Sequence, residues 1–276
     1  MDKAQMRRDF DERGFVVVRD FFQPEVVAGV RAEVEKMVDE HVQKLLDEGK
    51  IADAFSDEPL ETRLYRLYEK SPRDAPGTYR AELHRPGFFG FFFHPGLLDV
   101  AELYLGGEIR LYPNYSLRPK LPGGTRVVWH QDGGFTEEFQ MGEVQAMRMV
   151  NVWSPLVPAR RENGCMRFVP GTHKMGSVPH ERVGRDLKIA DQYVEPVLPE
   201  AVWIELDPGD LVLFHNLLFH EGAPNNARIV RWSLDWRYQD ATQPTMRPHH
   251  GHIARSKDNP STPVKSAEEW ARLSFG

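Results

Sequence analysis

Between residues 109 and 238 the chain reads IRLYPNYSLRPK (109–120), TRVVWHQD (125–132), VQAMRMVNVWSP (144–155), CMRFVP (165–170), AVWIELD (201–207), DLVLFHN (210–216) and RIVRWSLDWRY (228–238). Each run is short and rich in β-branched or aromatic residues, and Pro and Gly turns separate it from the next. Strands at this density, without alternating helices, predict an antiparallel barrel or a double-sheet jelly roll.

Upstream of this block the pattern changes. Phe15–Val18 (FVVV) follows a turn at Gly14 and reads as a short strand buried on both faces. From Pro24, which suits a first helical turn, Val26, Val27, Val30, Val34, Met37, Val38, Val42, Leu45 and Leu46 recur at three- and four-residue steps until Gly49. That spacing predicts an amphipathic helix of roughly seven turns. Residues 51–96 mix charge, Pro and aromatics without a period and read as irregular. Residues 97–105 predict another helix, ending at Gly106-Gly107. No repeat, linker or composition break divides the chain. The expectation is one mainly β domain over 1–276: a helical part to about 107, a β core over about 108–240, and a C-terminal extension over 241–276.

Composition narrows the function classes. The 276 residues carry 35 Lys plus Arg against 41 Asp plus Glu, a net charge of −6, and no segment concentrates basic residues. Nucleic acid and anionic membranes are therefore unlike partners for it. No apolar run approaches the ~20 residues that span a bilayer. The single cysteine, Cys165, has no intramolecular partner, and MDKAQMRRDF lacks the apolar segment of a secretory signal. These features predict a cytoplasmic protein acting on a small molecule, as a monomer or small homo-oligomer.

The chemistry begins in TRVVWHQD. His130 and Asp132 are two residues apart, so in extended backbone their side chains leave one face and can share a metal. His220 is suited as a third ligand: it follows the apolar strand Leu211–Phe214 and opens the turn-like stretch EGAPNN. Two histidines and a carboxylate on one side of a metal leave the opposite positions open, the facial triad of ferrous oxygenases. Arg231 lies 11 residues after His220. A co-substrate with a distal carboxylate needs a planar, permanently charged, bidentate donor at its pocket floor, which Arg supplies better than Lys.

Four linked motifs carry a family resemblance: Trp129-His130-Gln131-Asp132; Asn163-Gly164-Cys165-Met166 leading to Pro170-Gly171-Thr172-His173-Lys174; Gly209-Asp210 through Phe214-His215 to His220; and Asn225 with Arg231 and Tyr238. With the Gly14-Phe15-Val16-Val17-Val18 start they cover nearly the whole chain. In order and spacing the chain resembles the phytanoyl-CoA dioxygenase superfamily of iron(II)/2-oxoglutarate oxygenases. The resemblance implies a double-stranded β-helix core (jelly roll, cupin-like) with flanking helices. It also implies iron(II) on His130, Asp132 and His220, 2-oxoglutarate on Arg231, and O2 as oxidant. It further places Trp153, Asn114 and Ser116 near the co-substrate. The family usually has Gly-Ser after the distal His, where this chain has Glu221-Gly222; Ser233, two residues from Arg231 on a strand, is expected to replace that hydroxyl. Thr172 stands where Ser is commoner and keeps its hydroxyl. Related halogenases carry a small residue in place of Asp132, so its presence implies hydroxylation or desaturation.

Other residues read as structural. These are His215 after Phe214, His173 and Lys174 after a Pro-Gly turn, the small apolar Cys165, and the aromatic run Phe88–Phe93 as core or lid. His249, His250 and His252 read as a solvated loop. The candidate substrate residues are Phe135, Phe139, Met141, Met147 and Phe219, with Arg148 and Arg80 for an anionic group. The expected substrate is a small, largely apolar metabolite, with secondary metabolism as its expected setting. Epimerisation or ring closure at the same iron stays open, as does a non-catalytic metal- or ligand-binding module.

Overall fold

The computed structural model describes residues 2–135, 141–184 and 186–275. Its strands are β1 (Phe15–Val18), β2 (Ile109–Leu111), β3 (Ser116–Lys120), β4 (Val127–His130), β5 (Met149–Pro155), β6 (Met166–Phe168), β7 (His180–Val183), β8 (Asp186–Ile189), β9 (Val202–Ile204), β10 (Leu211–His215), β11 (His220–Gly222), β12 (Arg231–Asp240) and β13 (His252–Arg255). The larger sheet runs β1-β10-β5-β12-β2-β13, with β3 also paired to β12; the smaller runs β4-β11-β6-β9, and β7 with β8 forms a hairpin. After β4 the chain crosses to β5 in the large sheet, returns for β6 and β9, crosses again for β10, returns for β11 and crosses for β12. This alternation between facing antiparallel sheets is the double-stranded β-helix, mainly β with flanking helices, that the sequence predicts.

Strand β12 displays the logic of the core. Trp232, Leu234, Trp236 and Tyr238 point one way, into the cluster shared with the helices. The intervening Arg231, Ser233, Asp235 and Arg237 must therefore point between the sheets, since successive side chains alternate. Strand β5 divides likewise, with Val150 and Val152 toward the helices and Trp153 toward the inter-sheet cluster of Phe168, Met166 and Phe214.

The helix Pro24–Asp47 begins with Pro at its first turn and buries Val27, Val30, Val34, Met37, Val38, Val42 and Leu45 on the large sheet's outer face. A preceding helix, Lys3–Arg13, is capped by Asp2 and stopped by Gly14 at φ 83°. A Cβ at Gly14 would lie 2.5 Å from His173 Nδ1, so the turn into β1 requires glycine on both counts. The Phe88–Phe93 run is core: Phe88, Phe91 and Phe92 are fully buried, and Phe91 stacks on Phe22 at 4.0 Å between ring centroids. No helix among the described residues is long and apolar enough to cross a membrane.

Several local expectations need correction. Residues 144–155 are not one strand: Met141–Ala146 is helical and β5 starts only at Met149. The stretch after His220 is strand through Gly222, where it pairs with β4 and β6, before the turn begins. Within 51–96 a helix forms over Leu60–Tyr68, burying Leu60, Leu64 and Tyr68. His252 belongs to β13, paired with Leu111, and its ring packs edge-on to Trp270 at 5.2 Å. That aromatic contact, together with the ladder, draws it out of the exposed loop that still holds His249 and His250.

Candidate active site

The two histidine ligands are placed by strand register. His220 on β11 lies directly opposite His130 on β4, and side chains directly opposite in an antiparallel pair share a face. Their ring centroids are 4.0 Å apart. The backbone turns at Asp132, which opens a 3₁₀ turn to Phe135. Gln131 locks this turn from behind: its side chain donates to the Gly176 and Leu217 carbonyls at 2.8 and 2.7 Å and accepts from Val178 N–H at 3.0 Å. Asp132 thereby faces the imidazoles, with Oδ1 3.9 Å from His130 Nε2 and Oδ2 3.9 Å from His220 Nε2. One ligand atom from each of the three residues lies within 4.8 Å of the others.

Tautomers and charges suit a divalent cation. His130 Nδ1 donates to the Val128 carbonyl at 2.7 Å and His220 Nδ1 to the Leu218 carbonyl at 2.9 Å, so each ring turns the lone pair of Nε2 toward the shared centre. Burial, with His220 adding to it, pushes His130 down to about 3, which keeps it neutral and able to coordinate. Burial also lowers His220. Burial opposes ionisation of Asp132, yet Arg237 and the two histidines hold its carboxyl well below the usual range.

Arg237 is the main residue that the sequence reading missed. Its Nη2 donates to Asp132 Oδ1 at 2.7 Å, while Asn151 Nδ2 donates to Asp132 Oδ2 at 2.8 Å. The carboxylate is thus aimed by a buried cation and a strand amide. Replacing Arg237 by leucine is expected to weaken ferrous-iron affinity by about 10- to 100-fold, the usual consequence of losing the group that orients a metal ligand. It should also cost about 3 kcal/mol of stability by stranding a buried carboxylate. Iron titration and thermal melting of the variant check both; unchanged iron affinity would refute the orienting role.

Arg231 is buried (5% exposed) on the same face of β12. Its Nη1 donates to Ser233 Oγ, and its guanidinium lies over the Trp153 ring at 5.4 Å to the centroid. Its Nε is buried without a partner, and no carboxylate among the described residues pairs with it. Burial pushes it down to about 10. Lys120, opposite Arg231 in register, is pushed to about 7 by burial and by Arg231, and its ammonium is held on the Gly222 and Ala223 carbonyls.

A cavity of about 430 Å³ brings His130, Asp132, His220, Arg231, Trp153, Asn114 and Arg80 together, and Arg237 with them. Ser233 and Ser116 are fully buried, Ser233 against Arg231 and Ser116 opposite Asp235. Met147, Arg148 and Phe219 are not brought there. Because β5 starts at Met149, Met147 packs with Tyr112 and Met149, and Arg148 is exposed and ion-paired to Asp240. Phe219 alternates with His220 and so packs on the other side, with Trp129 and Val169. Phe139 lies outside the described residues, as do the side chains of Phe135 and Met141. Glu221 also points away from the metal centre, paired with Arg167 at 2.9 Å and Arg126 at 3.3 Å. His215 accepts from Leu217 N–H at 3.1 Å, as a structural residue should. Thr172 Oγ1 accepts from Phe219 N–H at 3.0 Å and so helps fix the approach to His220. A larger groove of about 520 Å³ beside the helix Pro24–Asp47 has none of this chemistry.

Two neutral histidines and one carboxylate facing an open cavity, with a buried, unpaired arginine on the same wall, define a mononuclear iron oxygenase that takes 2-oxoglutarate. The donor set fits ferrous iron, and the orphaned Arg231 guanidinium fits the far carboxylate of the co-substrate. The family described as phytanoyl-CoA dioxygenase (PhyH) matches residues 10–232, and the chain belongs to it. A 1-deoxypentalenic acid 11-beta-hydroxylase of Streptomyces arenae is 26% identical over 256 residues, covering 87% of this chain and 82% of the relative. Among solved structures, EctD from S. alaskensis with bound Fe superposes with a TM-score of 0.63 at 19% identity, covering 92% of this chain and 86% of that one. The epimerase SnoN, in complex with Fe3+, alpha ketoglutarate and nogalamycin RO, gives 0.61 at 20% identity, with 96% of each chain covered. The protein is an iron(II)- and 2-oxoglutarate-dependent oxygenase.

Proposed function

We propose that this oxygenase hydroxylates an unactivated carbon of a small, largely apolar metabolite of secondary metabolism, acting as one domain over residues 1–276. The observation that carries the reading is the combination of an oriented His130–Asp132–His220 centre with the unpaired, buried Arg231 beside it. Iron with 2-oxoglutarate and dioxygen supplies the oxidising chemistry when bound, with succinate and carbon dioxide as the other products. The protein contributes the rest. Arg231, with Ser233 and Trp153, fixes the far end of the co-substrate; Arg237 and Asn151 hold Asp132 to one orientation. Val127, Met166 and Phe214 give the cavity an apolar wall. The similarity to a hydroxylase acting on 1-deoxypentalenic acid supports a compact metabolite as substrate.

The test is succinate formation from 2-oxoglutarate with ferrous iron under air, compared between wild type and His130→Ala across a panel of small metabolites. Wild type is expected to form succinate and the variant none. If neither protein turns over the co-substrate and neither binds iron, the reading fails.

A further inference from the structure

Five arginines and three aspartates line the cavity around the iron centre. Most have an assignment. Arg237 serves Asp132 at 2.7 Å and approaches Asp235 at 3.4 Å, Arg118 is ion-paired to Asp235, and Arg231 faces the co-substrate position. Arg80 and Arg247 remain, and neither forms an ion pair among the described residues.

Both are nonetheless held in place. Tyr79 exchanges two backbone hydrogen bonds with Leu117 at 2.9 and 3.0 Å, which pins the Arg80 segment along β3 beside Arg118. Arg80 is half-buried there, and its backbone N–H donates to Glu82 at 2.9 Å while its guanidinium has no acceptor. Arg247 lies across the ring of Tyr112 at 5.7 Å, with its Nε donating to the Tyr112 hydroxyl at 3.0 Å. Tyr112 is itself fixed, donating to the Thr245 carbonyl at 2.8 Å. The remaining carboxylate, Asp186, is exposed on β8. Burial, reinforced by Arg118, Arg237 and Arg247, lowers the Arg80 guanidinium from its ordinary value, as expected for a cation short of negative charge.

Two guanidiniums without a counter-charge on one cavity, Arg80 on a pinned backbone and Arg247 held on Tyr112, call for an oxyanion that the protein does not itself provide. The co-substrate's far carboxylate is already matched by Arg231, on the strand that also carries Arg237. We infer that the oxidised substrate carries a carboxylate, bound by Arg80 and Arg247, with its apolar body against Val127, Met166 and Phe214. This rests on the oxygenase reading and adds the substrate class to it. A cavity of about 430 Å³ suits a compact acid. A charged pair and apolar side chains lining the same cavity would give such a molecule a preferred orientation, and so select which carbon faces the metal.

The probes are alicyclic carboxylic acids of about ten to fifteen carbons, each with its methyl ester and its coenzyme A thioester. They are titrated anaerobically into the iron–2-oxoglutarate holoenzyme, with perturbation of its visible charge-transfer absorption as the readout. Wild type is expected to bind at least one acid about tenfold or more tightly than its ester, as for loss of a charge-assisted hydrogen bond. Arg80→Leu and Arg247→Leu should each erase most of that preference, and Arg247→Lys should restore part of it. Esters binding as well as acids, no acid binding better to wild type than to the double variant, or preference for the thioesters would each overturn the inference. So would an equal loss of 2-oxoglutarate affinity in both variants, which would assign these arginines to the co-substrate. If wild type develops no charge-transfer absorption with iron and 2-oxoglutarate, it is the oxygenase reading that falls.

Discussion

With His220 replaced by alanine, succinate formation is expected to fall at least about a thousandfold, equivalent to roughly 4 kcal/mol of activation free energy. The size follows from the geometry. His220 supplies one of the three protein ligands found among the described residues, its lone pair is aimed by the Leu218 carbonyl, and its ring packs near Phe168 and Phe214 at centroid distances of 6.0 and 5.0 Å. No other imidazole takes its place: His215 is tied to the Leu217 N–H and packs tilted against His173, and His180 accepts from Gln131 N–H. The fold should survive with a loss of about 2 kcal/mol for the vacated ring. Thermal melting separates the two effects. A hundredfold excess of iron over its dissociation constant stabilises the wild type by about 2.7 kcal/mol, which is several degrees; the variant should show no iron-dependent shift. A variant that keeps that shift and a tenth of the activity would remove His220 from the metal.

The triad was legible because its geometry is local. A two-residue spacing in one strand, and a third ligand following a β strand, translate directly into one face of a sheet edge. Arg231 stood out in the sequence for a chemical reason, the match of a guanidinium to a carboxylate, and the structure leaves it buried without a counter-charge. Arg237 had the same signal, since Arg231, Ser233, Asp235 and Arg237 alternate along one strand, and extending the Ser233 argument by two steps reaches it. Its partner is what the sequence hides: pairing with Asp132 depends on how β12 in one sheet faces β4 in the other, a non-local register. Arg247 is hidden in the same way, because Tyr112 places it from 135 residues away. Met147, Arg148 and Phe219 failed as pocket residues for a different reason. Strand β5 starts later than its apolar run, and a residue next to a ligand in a strand faces away from it. The helix Leu60–Tyr68 went unread because Leu60, Leu64 and Tyr68 mark its buried side only once per turn amid charged neighbours.

Arg231→Leu is expected to raise the 2-oxoglutarate concentration for half-maximal turnover by about 100-fold while leaving the metal-free protein as stable as wild type or more so. The two signs differ because Arg231 stands in an unfavourable environment until an anion arrives. It is buried, its Nε has no acceptor, and Lys120, which lies opposite it, offers no negative charge. Desolvating a cation without a counter-charge is costly, so leucine at that position removes a penalty from the folded protein. On the proposed reading the same change would delete a charge-assisted contact to the co-substrate, worth roughly 3 kcal/mol or a hundredfold in affinity. Lys120 cannot compensate, since its ammonium is committed to the Gly222 and Ala223 carbonyls. Arg231→Lys should fall between, about tenfold weaker than wild type, because a point charge keeps the attraction and loses the fork. Co-substrate saturation curves and apo melting temperatures measure the two signs independently. A leucine variant that melts well below wild type while binding 2-oxoglutarate normally would make Arg231 a structural residue; the opposite pattern can arise only if its charge is held in reserve for a ligand.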